Sequence, residues 1–196
     1  MSIGDYPPDP LESAQALSII KHIRRRSRKG RRDRAIIAVM WRCGLRCGEV
    51  RDLEMSDVRR DPKSLLKVRW PKGRKQGAPP RDVGLDNTTF ELIADWLEMR
   101  GREPGPLFLS GINTKLHTSN LRRVVASRAR EAGIQRRVHP HCFRHTYARD
   151  LYLEGVGMAH IMNALGHTSL ENTARYLGSI GCTEAVQVTS EREWRV

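Results

Sequence analysis

No stretch of this 196-residue chain approaches the roughly 18 consecutive apolar residues of a membrane-spanning helix. The first residues, MSIGDYPPDP, have neither a basic start nor an apolar block, so no secretory leader is expected. The four cysteines, Cys43, Cys47, Cys142 and Cys182, form no CxxC pair, and the expectation is a soluble, cytoplasmic chain with reduced thiols. No lipidation motif is visible, which argues against anchoring at a membrane. No internal repeat is present, which argues against a solenoid. Aromatic residues are scarce, at 6%. Acids are scarce relative to bases: 22 Asp and Glu stand against 35 Lys and Arg, giving a net charge of +13 and a pI near 10.3. That imbalance favours a polyanionic partner and says nothing about fold.

What is present is unevenly distributed. Lys21 to Arg34 holds nine Lys or Arg and one acid, Lys67 to Arg81 holds six and none, and Arg122 to Arg137 holds six and one. One such run is usually a solvated face. Three in a chain of this size point to nucleic acid, and none adjoins a long apolar stretch of the kind an anionic membrane would want. The candidate DNA contacts are Arg24, Arg25, Arg26, Arg28, Lys29, Arg74, Lys75, Arg122 and Arg123.

Periodicity predicts a mostly helical α+β domain. Residues 1–10 carry three prolines and read as an arm or linker. Apolar residues recur at helical spacing at Ala16, Ile19, Ile20 and Ile23, then at Ile36, Val39, Met40 and Cys43 before Gly44. A short third helix is expected over Glu49 to Leu53. Leu65 to Trp70 reads as a strand, Pro71 to Pro80 as a long turn and Arg81 to Leu85 as the return strand of a hairpin, giving one small antiparallel sheet. Further helices are expected around Phe90 to Leu97, around Leu121 to Ala132, from Pro140 to about Glu154, and from Met158 to Leu165 before Gly166. Thr168-Ser-Leu-Glu171 reads as a capping box for a last helix.

Four segments carry candidate chemistry: GLRCGEV (44–50), WPKGRK (70–75), HPHCFRHTYARDL (139–151) and LGHTSLENTARYL (165–177). Cleaving a phosphodiester without metal needs arginine forks for the non-bridging oxygens, a proton for the leaving oxygen and a base for the attacking hydroxyl. His141 and Arg144 are three apart on a predicted helix, so both can face one target. Tyr176 lies about 130° from the apolar stripe of Leu170, Ala174 and Leu177, which makes a packing role less attractive, although partly exposed tyrosines are common. Arg46 alone reads equally well as a surface arginine. His139, His141 and His145 invite a metal, but two of them flank Pro140 and no carboxylate lies nearby at the usual spacing, so no metal is expected. Cys142 reads as a small buried residue.

Together the four segments resemble the tyrosine recombinase (phage integrase) family. GLRCGEV resembles its first arginine box, PKGRK with RDVGL its lysine hairpin, PHCFRH its His-x-x-Arg box, and LGHTSLENTARY its His-to-tyrosine segment. The likeness covers about residues 12–178. It implies a catalytic domain over 11–178, and a tail over 179–196 that contacts a neighbouring subunit. By that resemblance Arg46 and Arg144 would clamp the phosphate, Lys72 would protonate the leaving 5′ oxygen, and His141 would accept the tyrosine proton. His167 would hydrogen-bond a phosphate oxygen, Glu49 would orient neighbouring groups, and Tyr176 would become linked to the 3′ phosphate. No cofactor or ATP is implied, because the covalent link conserves the bond energy. The implied partners are double-stranded DNA with paired recombination sites, further copies of the chain, and accessory DNA-bending proteins.

The chain also departs from the family pattern. Cys47-Gly48 stands where a serine usually precedes the acid, and the hairpin tip, Gln76 to Pro80, is longer than usual. That length leaves Lys75 as a competitor for the role of Lys72. The family's N-terminal DNA-clamping domain has no room here, which suggests a short recombinase or a catalytic fragment. Two other functions share parts of the pattern. A type IB topoisomerase uses the same covalent chemistry without exchanging partners, and a non-catalytic module would bind DNA without cutting it.

Overall fold

The computed structural model describes residues 9–60, 63–69, 79–111 and 113–167. Seven helices and three strands follow one another: α1 (Ser13–His22), α2 (Arg28–Arg42), α3 (Cys47–Asp52), β1 (Val58–Arg59), β2 (Leu65–Val68), β3 (Arg81–Gly84), α4 (Asn87–Arg100), α5 (Thr118–Glu131), α6 (Pro140–Leu153) and α7 (Met158–Leu165). Helix starts are set by local chemistry. The Ser27 hydroxyl accepts the Gly30 N–H at 2.9 Å to open α2, and the Asp86 carboxylate accepts the Thr89 N–H at 2.8 Å to open α4. Pro140 opens α6, where its missing N–H costs nothing.

The core forms around α2. Ala35 to Met40 are almost completely buried there, and the helix packs against α4 and α6. A smaller cluster of Tyr147, Ala148, Ile161 and Leu165 holds α7 against α6. Burying side chains of this size stabilises each by about 1.5–3 kcal/mol, which fixes α6 and α7 as a pair.

The sheet differs from the expected hairpin. It has three antiparallel strands in the order β1-β2-β3, with Val58 opposite Leu66 and Lys67 opposite Asp82. The extra strand is two residues long, too short for alternation to register in the sequence. A single 3-10 turn, Met55–Asp57, leads into it.

Several arginines of the basic runs hold the fold together. Asp33 is fully buried; one oxygen accepts from Arg32 at 2.8 Å and the other from Arg128 at 2.7 Å, tying α2 to α5. Arg25 forks onto Asp95 of α4 at 2.9 and 3.1 Å, and Arg31 reaches Glu98 at 2.7 Å. The segment before α1 is stitched along α6. There the Asp9 N–H donates to His145 Nδ1 at 2.9 Å, the Leu11 N–H donates to Thr146 Oγ1 at 2.8 Å, and Arg136 binds the Asp9 carboxylate. At Asp9, then, the expected arm is fastened to the helix that carries His141 and Arg144, and Pro10 O accepts from Arg136 just before that helix. Among the described residues, no helix is long and apolar enough to cross a membrane.

Candidate active site

The site is organised by the C-terminus of α7. Gly166 adopts a left-handed conformation, φ 62°, and closes the helix: its N–H reaches Asn163 O, and the His167 N–H reaches Met162 O, both at 3.0 Å. The carbonyls of the last turn then face outward at the negative end of the helix. Three arginines from three different elements meet three consecutive carbonyls. Arg81 of β3 donates Nε–H to Ala164 O at 3.0 Å, Arg144 of α6 donates to Leu165 O at 2.5 Å, and Arg46, at the N-cap of α3, makes a long 3.5 Å contact with Gly166 O.

Close approach of the chain before α3 makes part of this geometry. At Gly44, φ is +59°, and a Cβ there would meet Tyr147 Cδ1 at 2.2 Å. Only glycine lets this segment lie against α6, where Gly44 O accepts from Arg144 Nη1 at 2.7 Å. Arg144 is fully buried and Arg46 keeps 19% of its side chain exposed. The two arginines are therefore a fixed inner group and an accessible outer one.

Among the described residues, a single acid lies among these cations. Glu49 is 4% exposed, and each of its oxygens accepts two hydrogen bonds. Oε1 receives Arg81 Nη1 at 3.0 Å and Arg46 Nη1 at 3.2 Å; Oε2 receives Arg81 Nη2 at 2.9 Å and the Arg46 N–H at 2.8 Å. Burial alone would push this carboxyl up. The Arg81 hydrogen bonds and charge, the Arg144 charge and the Arg46 N–H outweigh it and hold the group below the ordinary glutamate range. Cys47, the first residue of α3, turns its thiol to Thr118 O at 3.6 Å.

His167 emerges directly from this cluster. Burial first, then the charges of Arg144, Arg46 and Arg81, push its imidazole down to about 3, against a smaller upward pull from Glu49. Burial and the three guanidinium groups together keep the ring neutral at pH 7. A phosphate monoanion entering here would meet concentrated positive charge that one carboxylate only partly offsets.

The structure thus brings together four of the expected residues: Arg46, Glu49, Arg144 and His167. His141 is exposed near the start of α6, with the rings of His139 and His145 each 6.3 Å from its own. The sequence reading did not single out Arg81 as a site residue. Its clue was its place at the head of the return strand, but its partners lie 32 and 83 residues away along the chain. Lys72, Arg74, Lys75 and Tyr176 lie outside the described residues. So do the capping box at 168–171 and the tail.

The remaining candidate DNA contacts separate into two groups. Arg24, Arg26, Lys29, Arg122 and Arg123 are exposed. Arg122 and Arg123 line a groove with Arg130, Arg136 and Arg137. Arg25, exposed as well, is ion-paired to Asp95, while the partly buried Arg28 donates to Asn113 at 2.5 Å and lies 5.5 Å from the centre of the Trp96 ring. The carboxylate that the sequence did not place near the histidines comes from Asp9, whose donor atoms lie within 4.8 Å of those of His139 and Cys142.

The phage integrase family model matches residues 10–180. The chain belongs to that family. Among curated relatives, a tyrosine recombinase of Pseudothermotoga lettingae is 32% identical over 151 residues, covering 77% of this chain and 51% of the relative. Tyrosine recombinase XerC of Pelobacter propionicus is 29% identical, covering 86% and 55%. The chain thus spans about half the length of these relatives. The crystal structure of XerA recombinase superposes with a TM-score of 0.81 at 25% identity, covering 99% of this chain and 67% of that one. XerH bound to a palindromic difH substrate, at 24% identity and a TM-score of 0.78, shares the fold. An α+β, mostly helical catalytic domain of the integrase family with one small antiparallel sheet is therefore the architecture of this chain.

Proposed function

We propose that the chain is the catalytic domain of a site-specific DNA recombinase that cuts and rejoins strands through a 3′-phosphotyrosyl intermediate. The observation that carries this reading is the convergence of Arg46, Arg144 and His167 on one spot, braced by a buried Glu49. Such a spot suits a phosphodiester. Arg46, the more accessible of the two arginines, offers an N–H fork to a non-bridging oxygen, and Arg144 supplies charge from the buried side. The neutral His167 donates one hydrogen bond to the same phosphate.

In this mechanism the Tyr176 oxygen attacks phosphorus and its proton passes to His141. The bond to the 5′ oxygen breaks as Lys72 delivers a proton to it. A free 5′ hydroxyl then reverses these steps and reseals the strand. The relatives of similar sequence are named recombinases, which favours strand exchange over simple relaxation by a topoisomerase. The exposed arginines of α5 and of the α1–α2 connection would bind the DNA backbone. Further copies of the chain on paired sites would complete the exchange, with residues 179–196 as the subunit contact, in the cytoplasm where DNA is accessible.

A nicked suicide substrate tests the reading. The wild-type chain should accumulate a covalent protein–DNA adduct, with or without EDTA. Tyr176→Phe should bind the same DNA and form none. A normal adduct from the phenylalanine variant would sink the assignment of the nucleophile. Loss of the wild-type adduct in EDTA, restored by magnesium or zinc, would point to metal chemistry.

A further inference from the structure

Arg81 makes three side-chain hydrogen bonds at the site and joins Glu49 to the end of α7. Its guanidinium grips both oxygens of Glu49, at 3.0 and 2.9 Å, and its Nε–H caps α7 through Ala164 O at 3.0 Å. A Cβ added at Gly166 would meet its Nη1 at 2.9 Å and its Cζ at 3.0 Å, so the turn that presents His167 is moulded around it. The side chain is 11% exposed. Three of its five N–H donors are taken, two by the carboxylate and one by a carbonyl, so its main engagement is with the protein rather than with a phosphate.

We propose that Arg81 is a positioning residue for strand cleavage: it aligns Arg46 through Glu49, and His167 through the end of α7, from the strand that closes the hairpin. This rests on the functional reading above. Three features give the role its specificity. The bidentate grip fixes the rotation of the Glu49 carboxylate, whose oxygens in turn hold the Arg46 N–H and guanidinium. The contact with Ala164 fixes the last turn of α7, directly before His167. Because Arg81 opens β3, which pairs with β2 from Val68 to Leu65, these two contacts also lock the sheet to the clamp. A lysine at this position would keep the charge but could not make the fork and the carbonyl contact together.

The test compares full-length wild type, Arg81→Lys and Arg81→Gln on the nicked suicide substrate, reading single-turnover adduct formation and DNA affinity separately. Both variants should slow adduct formation by roughly tenfold or more while the Kd for DNA stays within about threefold. A wild-type rate in Arg81→Lys would show that charge alone suffices and would overturn the proposal. A Kd that rises in step with the loss of rate would make Arg81 a DNA contact and would overturn it equally. Should both variants lose the folded circular dichroism spectrum, Glu49→Asp carries the test. It keeps the charge and draws the carboxylate back from the fork, so it should slow cleavage at unchanged affinity, and a wild-type rate would refute the coupling. Absence of any wild-type adduct would indict the functional reading instead. In that case NMR titration of the His167 ring decides on Arg81. Arg81→Gln should move the titration midpoint up from its depressed position, and an unchanged midpoint would overturn the placement of Arg81 against the site.

Discussion

Replacing Glu49 by glutamine removes the carboxylate held by Arg46 and Arg81 beside Arg144 while keeping its shape. Glu49 is 4% exposed and accepts four hydrogen bonds, all from arginine residues. Breaking a buried ion pair from one side costs about 3–5 kcal/mol, because the partner charge stays behind uncompensated. A glutamine oxygen still accepts two of the four bonds, which places the expected loss near the lower end, about 3 kcal/mol. For a domain of this size that corresponds to a fall in Tm of about 6–12 °C, measured by scanning calorimetry at pH 7. The pH dependence has a defined sign. A carboxyl whose folded pKa is depressed stabilises the protein above its ordinary value, 4.5, and the stabilisation is lost as pH falls through the lower folded value. The gap between variant and wild type should therefore be full at pH 6–7, by the ordinary titration range of glutamate, and should close in acid. Added inorganic phosphate, an anion that can bind the uncompensated arginines, should narrow it at neutral pH. A fall of less than about 2 °C at pH 7, on the same scale, would refute the view that Glu49 neutralises the arginines, as would a gap that persists undiminished in acid.

Arg46→Lys should lose roughly 100-fold in single-turnover cleavage with DNA affinity within about threefold, because lysine keeps the charge and forfeits the fork; equal losses in both would make Arg46 an ordinary backbone contact. His145 is pushed down to about 4 by burial, then by the charges of His141, His139 and Arg144, so its share of stability is complete above 6.5 and drains away as pH falls from 6.5 towards 4. At pH 5 that loss should reach about 1–2 kcal/mol in urea melts, and His145→Gln should flatten the profile between pH 7 and 5. Arg122→Ala should reduce the slope of log affinity against log salt by about 1, whereas Arg25→Ala, whose guanidinium is held by Asp95, should reduce it less. Equal slopes for the two would mean that the ion pair opens on DNA.

The helices were legible because their signals are local. Pro140 marks the start of α6, Gly166 the end of α7, and the apolar spacing of Ile36, Val39 and Met40 the buried face of α2. The strand Val58–Arg59 was not, since two residues carry no period, and its existence depends on pairing with Leu65 and Leu66. The site divides in the same way. Arg46 and Glu49 sit three apart on one helical turn, and His141 and Arg144 on another, so motif spacing reveals them. Arg81 meets its partners only after β3 pairs with β2 and α7 docks on α6. The basic runs were legible as charge but not as function, because Asp95, Glu98 and Asp33, which engage Arg25, Arg31 and Arg128, lie 64 to 95 positions away, on other helices.

On the proposed function, Arg46 and Arg144, which rest on the carbonyls of Gly166 and Leu165, have a consequence for the moment of encounter. An arginine left waving in solvent would have to surrender its rotamer freedom when DNA arrives, at about 0.5–1.5 kcal/mol for each immobilised side chain. Here the freedom is given up during folding, with the helix end serving as a stand-in for the anion. A phosphate would then meet cations already held in place. Guanidinium groups held this way would follow a displaced phosphate poorly, so a strand bound one register out of place would be cut slowly, and the choice of scissile bond would depend on the way one short helix ends.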